Sequence, residues 1–205
     1  GIADAVQERD ANLICFARRA LREPYEFEVQ RNVVYDLASP ENVDGLILCG
    51  GLGNFVTPEA YKSFCDRYHP LPMVSVALMA EGIPTVLVDN EKGLRDAIVH
   101  LIEVHGHRRI AFIRGAEGNE EAEQRYRVYQ DVLAEYGLPL DPTLIAPGDF
   151  LPPTGKAAIH LLIGERNLRP GLDFEAIVVA NDSMALGALE ALQARGIRGP
   201  DDVAL

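Results

Sequence analysis

Leu87-Val88-Asp89-Asn90 leads into a helix that closes on His105-Gly106-His107-Arg108-Arg109, and a new strand follows at Ile110-Ala111-Phe112-Ile113. The same grammar returns at Ala176-Ile177-Val178-Val179-Ala180, which ends in Asn181-Asp182 and feeds another helix. Each time an apolar strand delivers a polar pair to a helix start. In a parallel α/β sheet that corner is a ligand site, because strand ends open a crevice and helix N-termini carry free N–H groups. The pattern predicts a chain built to hold a small polar molecule.

The rest of the chain extends this rhythm in both directions. Gly1 to Glu8 reads as a helix end, and Asn12-Leu13-Ile14-Cys15-Phe16-Ala17 as a buried strand. A polar loop, Arg18 to Glu28, carries Pro24, Tyr25 and Phe27. Val29 to Leu37 reads as a helix with Val33, Val34 and Leu37 inward. Val43 to Cys49 is a strand running into Gly50-Gly51, and Pro58 to Arg67 a helix with Thr57 as N-cap. Met73 to Ala77 and Thr85 to Val88 are strands. Beyond them, Glu91 to Val104 places Leu94, Ala97, Ile98, Leu101 and Ile102 on one helical stripe. Glu120 to Tyr136 does the same with Ala122, Tyr126, Tyr129, Leu133 and Tyr136, and Gly137 stops it. Leu144 to Ala146 is a short strand, Thr154 to Glu165 a helix, Ser183 to Arg195 a helix ended by Gly196, and Asp202 to Leu205 the start of a strand. Strand alternating with helix predicts βαβ units and mostly parallel sheets. Two such runs meet near residues 88 to 91. The expected architecture is α/β with two lobes, 1–88 and 89–205, and a cleft between them.

Composition narrows the function. The 205 residues are 48% hydrophobic, enough for a substantial core, and 31 acidic against 19 basic residues give a net charge of −12. Such a surface repels phosphate backbones, so this segment is not expected to grip nucleic acid itself. Arg18-Arg19 and Arg108-Arg109 read as solvated surface. Of the three cysteines, Cys15 and Cys49 lie in apolar runs and read as buried thiols, which fits a reducing cytoplasm. No signal peptide is recognisable, and no apolar run is long enough to span a membrane.

Motif-like strings do not add chemistry. Between Gly148 and Lys156 the glycine spacing is wrong for a phosphate loop, and Ala157 stands where Ser or Thr would hold magnesium. His105 and His107 lack a Cys or carboxylate set at ligand spacing and read as a helix C-terminus. There is no nucleophile elbow and no Ser-His-acid arrangement. Neither a catalytic residue, a metal site nor a cofactor is expected.

Three blocks resemble the effector-binding domain of the LacI/GalR repressor family. They are Val86 to Asn90 continuing through His100-Leu101-Ile102 to Ile113, Arg125-Tyr126-Arg127-Val128-Tyr129 with Leu133 and Gly137-Leu138-Pro139, and Val179 to Ala188 with Pro200-Asp201-Asp202-Val203-Ala204. Their order and spacing agree across about residues 85 to 205, and the match over 1–84 is weaker. The resemblance implies a type I periplasmic-binding-protein-like fold, incomplete at both ends, without the family's opening strand and return segment. It implies lobe closure over a sugar or nucleobase-like effector, a homodimer in the cytoplasm, and DNA contact only through an attached domain absent from this chain. By position, Arg125 corresponds to the family's arginine that reaches the ligand and Asn181 to its strand-end amide, with Asp182 beside it. Val128 replaces the family's usual glycine, and Val76-Ala77 offers no acid where sugar-binding members often place one. Residues 30–37 and 39–46 also resemble LacI-like sensor modules of histidine kinases and diguanylate cyclases. That module and a periplasmic solute-binding protein are the alternative readings.

Taken by themselves these residues keep a second meaning. Arg125 is either a ligand contact or a salt bridge, and Asn181 a ligand contact or an N-cap. Asp182 and Asp89-Asn90 read as structural acids and amides at helix starts. Tyr25 and Phe27 either wall a sugar face or anchor their loop.

Overall fold

The computed structural model describes residues 1–16, 20–22, 30–53, 56–87 and 89–205. Tyr25, Phe27 and the Arg18-Arg19 pair lie outside the described residues. The chain divides into two compact units, Gly1–Val88 and Asp89–Leu205.

In the first unit a short helix α1 (Ile2–Gln7) precedes three parallel strands in the order β1 (Leu46–Cys49), β2 (Met73–Val76), β3 (Thr85–Val86). Helix α2 (Pro58–Asp66) connects β1 to β2, and Thr57 caps it by accepting from the Ala60 N–H at 3.3 Å. Register places Leu48, Ser75 and Thr85 on one sheet face and Cys49, Val76 and Val86 on the other. The first face is covered: Leu48 and Ser75 are buried with Tyr61, Phe64 and Cys65 of α2 and with Tyr35. The second face leaves Ile47, Cys49 and Val86 exposed.

Several expectations fail in this unit. Asn12 to Phe16 forms no strand, and Leu13, Ile14 and Cys15 are exposed. An apolar run becomes a strand only when a neighbouring ladder takes its backbone groups, and none of the described strands does so. Cys49 is likewise exposed, because it points from the uncovered face. The buried cysteine is Cys65. Residues Gln30–Leu37 form a 3₁₀ helix rather than an α-helix. Its three-residue turn moves the inward stripe to Asn32, Tyr35 and Ala38 and leaves Val33 and Leu37 exposed.

The second unit holds the larger core. Its parallel strands run β5 (Ile145–Ala146), β4 (Ile110–Ile113), β6 (Ala176–Val179). Every residue of β4 is buried, as an all-apolar strand sandwiched between helix layers must be. Helix α3 (Asn90–Glu103) packs on α4 (Glu120–Glu135), and α5 (Pro152–Ile159) packs on α6 (Asp182–Gln193). After Ile159 the helix widens into a π-turn over His160–Glu165. Asp89, Asn119 and Asn181 cap α3, α4 and α6, accepting from Lys92, Ala122 and Met184 N–H groups at 3.1, 3.0 and 3.0 Å. Gly137 and Gly196 take φ of 64° and 74° just past α4 and α6, a conformation open to glycine at no steric cost. Residues 202–205 contribute a single parallel bridge, Ala204 to Ala176.

Arg109 is not a free surface cation. It pairs with Glu175 at 2.7 Å, and Glu175 also accepts from the Arg108 and Arg109 N–H groups at 2.6 and 3.0 Å, fastening the start of β4 to the start of β6. The buried Tyr129 hydroxyl donates to the Ile110 carbonyl at 2.8 Å. Tyr129→Phe is therefore expected to cost about 1 kcal/mol by stranding that carbonyl, measured by urea unfolding.

Two matching clasps hold the approaches to the β6 edge. In Arg169-Pro-Gly-Leu-Asp173 the arginine N–H and Nε both donate to Asp173 at 2.8 Å, and Arg198-Gly-Pro-Asp-Asp202 repeats the geometry at 2.8 and 3.1 Å. Hydrogen bonds from the Arg169 side chain and backbone pull Asp173 from 3.8 down to about 2. A folded value below the unfolded one means that this contribution is complete above about pH 4 and fades as pH falls toward 2. The melting-temperature gap between wild type and Asp173→Asn should accordingly close between those pH values.

Candidate functional site

The carboxyl ends of β4, β5 and β6 share one edge of the second sheet. With strand order β5-β4-β6 the chain leaves β4 to one side and returns on the other, which makes the β4–β6 boundary a topological switch point. Helix α4 brings Arg125 there. Its Nη1 donates to the Ala180 carbonyl at 2.5 Å, just past β6. Its Nε and Nη2 both donate to Asn90 Oδ1, at 3.2 and 2.8 Å, and Nη2 reaches Glu121 Oε2 at 3.3 Å. These contacts occupy four of the guanidinium's five N–H donors. The side chain is 22% exposed.

Glu121 sits one helical turn before Arg125. Among the described residues its Oε1 is buried and has no hydrogen-bond partner. A carboxylate oxygen left dry is costly, and its natural complement is a hydroxyl or amine donor. Asn181 uses its Oδ1 to cap α6, and its Nδ2 donates to the Phe150 carbonyl at 3.1 Å. One amide N–H remains to it. Asp182 is exposed in the first turn of α6, where an acid complements the helix dipole.

Phe150 escapes sequence reasoning. It lies after β5 with φ of 72°, an unusual conformation for a non-glycine residue and one that clusters at functional sites. Its ring packs over Gly115 beyond β4, so closely that a Cβ on Gly115 would lie 2.4 Å from it. Asp149 and Thr154 brace this turn: Thr154 Oγ1 donates to Asp149 at 2.7 Å, and Asp149 accepts from the Leu151 N–H at 2.9 Å. Nearby, Arg114 makes a two-oxygen ion pair with Glu123 at 2.6 and 2.7 Å, its guanidinium 4.3 Å from the Tyr126 ring centre.

Arg125, Asn181 and Asn90 thus come together, with Glu121 and Phe150 added. Asp182 borders the group, and Asn90, expected as structural, is Arg125's main partner. The cluster offers a cationic fork, an acidic acceptor, an amide and an aromatic face. Among the described residues no group of three or more His, Cys, Asp or Glu could hold a metal ion, and no helix is long and apolar enough to cross a membrane.

A family model described as a periplasmic binding protein-like domain matches residues 98–205. The regulator AscG of Escherichia coli is 32% identical over 152 residues, which are 74% of this chain and 44% of that protein. A LacI family transcriptional regulator from Mycobacterium smegmatis superposes with a TM-score of 0.77 at 26% identity, covering 98% of this chain and 68% of that one. A structure of the transcriptional regulator CelR in complex with cellobiose gives 0.73 at 30% identity, covering 99% and 58%. The chain spans about half the length of the curated relatives it matches.

Proposed function

The chain belongs to the periplasmic binding protein-like domain family, in the form carried by LacI-type transcriptional regulators, and from that membership we propose that it is the effector-sensing part of such a regulator. The observation that carries this is the polar cluster at the carboxyl edge of β4 and β6, with a buried, unpartnered Glu121 oxygen beside Arg125. An effector hydroxyl donating to Glu121 relieves that oxygen, and Arg125 then spends a donor on the ligand. The Phe150 ring supplies a face for the C–H side of a sugar. The mechanism is a two-state equilibrium: a ligand favours the state that it binds more tightly, in proportion to its affinity difference between states. No catalytic step is part of this reading. DNA contact belongs to a further domain, and a cytoplasmic homodimer is the working assembly. Arg125 and Asn181 are the proposed contacts, with Asp182 at the margin and Tyr25 and Phe27 as further candidates from the sequence.

The test is thermal melting against monosaccharides, cellobiose and other disaccharides, sugar phosphates and nucleosides. A true effector at a hundred times its Kd adds about 2.7 kcal/mol of stability and raises Tm in a saturable manner. Absence of any saturable shift across the panel would overturn the sugar-sensor reading.

A further inference from the structure

The first unit contains a cavity that shares no residue with the cluster around Arg125. It has a volume of about 590 Å³ and lies between helix α2 and residues 79–84, part of the connection from β2 to β3. Small-molecule sites commonly span about 300–1,000 Å³. Leu71, Met73, Met79 and Ile83 give it an apolar wall. Lys62 of α2 and Glu81 of the connection also line it and pair at 3.1 Å. Both of those side chains are more than half exposed, so the cavity meets solvent at that ion pair.

Tyr61 lines the same cavity and is only 3% exposed. Among the described residues its hydroxyl is buried without a hydrogen-bond partner. Ser75, buried on the sheet face that α2 covers, is engaged with the Leu78 carbonyl at 2.6 Å. Cys65, one turn along α2, offers only a weak thiol. Burial pushes the Tyr61 hydroxyl up to about 12, so it keeps its proton and remains a donor. A donor held dry is costly, and its complement is an oxygen acceptor. The charged rim narrows the choice. Glu59, Asp66 and Glu81 outnumber the one fixed cation, Lys62, which disfavours a carboxylate or phosphate. An ammonium has no lone pair to offer Tyr61. A sugar would leave most of its hydroxyls dry against the apolar wall. The Met73 and Met79 thioethers favour an aromatic ring.

We propose that this cavity binds a small neutral aromatic molecule, of the phenol, aryl alcohol or aryl ketone class, whose oxygen accepts a hydrogen bond from Tyr61. The ring packs on the methionine side chains, and the Lys62–Glu81 pair stays in water at the mouth. A bound molecule joins α2 to residues 79–84 and stabilises the first unit by mass action.

The probe is p-cresol, titrated into the full chain and followed by calorimetry and by two-dimensional NMR. Wild type should bind one molecule saturably, and p-toluate and p-methylbenzylamine, which carry opposite charges on the same ring, should bind at least tenfold more weakly. Tyr61→Phe keeps the ring and removes the dry hydroxyl, so the unliganded variant should be no less stable than wild type. Its affinity for p-cresol should fall about fivefold or more, while toluene, which has no oxygen, should bind both proteins alike. Met79→Glu, at a side chain already more than half exposed, should weaken p-cresol and toluene together. Lack of saturable p-cresol binding, equal affinity for either charged analogue, or undiminished affinity in Tyr61→Phe or Met79→Glu would overturn the site. So would a loss of stability in unliganded Tyr61→Phe, which would mean that the hydroxyl already has a partner within the protein.

Discussion

Arg125→Ala is expected to weaken effector binding at least a hundredfold while the second unit stays folded. The guanidinium ties Asn90, Ala180 and Glu121 into one cluster, so its removal strips donors from Asn90 Oδ1 and the Ala180 carbonyl and leaves the Glu121 carboxylate without its cation. The side chain is partly exposed, water replaces part of what is lost, and the stability cost should stay near 1–2 kcal/mol. The binding loss is larger because an effector hydroxyl would lose both its donor and the orienting charge behind its acceptor. Arg125→Lys should recover little, since an ammonium cannot reproduce the planar fork shared between Asn90 and Ala180. Glu121→Gln separates the two effects, keeping shape while removing charge. Calorimetry with the strongest stabiliser from the melting panel reads all three. Wild-type affinity in Arg125→Ala would place the binding site elsewhere.

Gly187→Ala is expected to be the most damaging small substitution for stability. Helices α5 and α6 touch backbone to backbone through a reciprocal pair of glycines. A Cβ on Gly187 would lie 2.0 Å from the Pro152 carbonyl oxygen, and one on Gly155 would lie 2.0 Å from that of Met184. Neither obstacle is a side chain that can swing away. A methyl group must therefore push the helices apart by more than an ångström, opening the contact among Ala158, Ile159, Ala188 and Ala191. The cost should reach about 3 kcal/mol, lowering Tm by roughly 10 °C. Gly93→Ala in α3 is the control. Nothing lies within 4 Å of its Cβ position, so the same change should stabilise by about 0.5–1 kcal/mol through lost unfolded-state freedom. Equal effects at the two positions would refute the close-contact argument.

Legibility differed between the units for a physical reason. In the second unit, strands β4 and β6 and helices α3, α4 and α6 fall within a residue or two of their expected limits, because apolar runs, caps and terminating glycines act over only a few residues. The stripe on α4 was partly misplaced: Val128 and Val132 are buried, while Tyr126 and Tyr136 stay half-exposed. In the first unit the same rules failed at Asn12 to Phe16 and at Gln30 to Leu37. There, burial and helix type depend on neighbours that local periodicity does not name.

The site divides in the same way. Strand-end polar pairs marked Asn181 and Asp89-Asn90, and family resemblance marked Arg125. Nothing local announced Glu121, whose importance comes from a dry oxygen, or Phe150, whose importance comes from its φ and the bare Gly115 beneath it.

By itself the sequence determined the βαβ alternation, the capped helix starts, the acidic surface and the family, since each is written in residue type and short-range spacing. The tertiary structure alone decided which donors Arg125 spends and on whom, which sheet face is covered, and where two glycines let helices meet. Those are contacts between segments as many as 55 residues apart, and only the folded chain brings them within bonding distance.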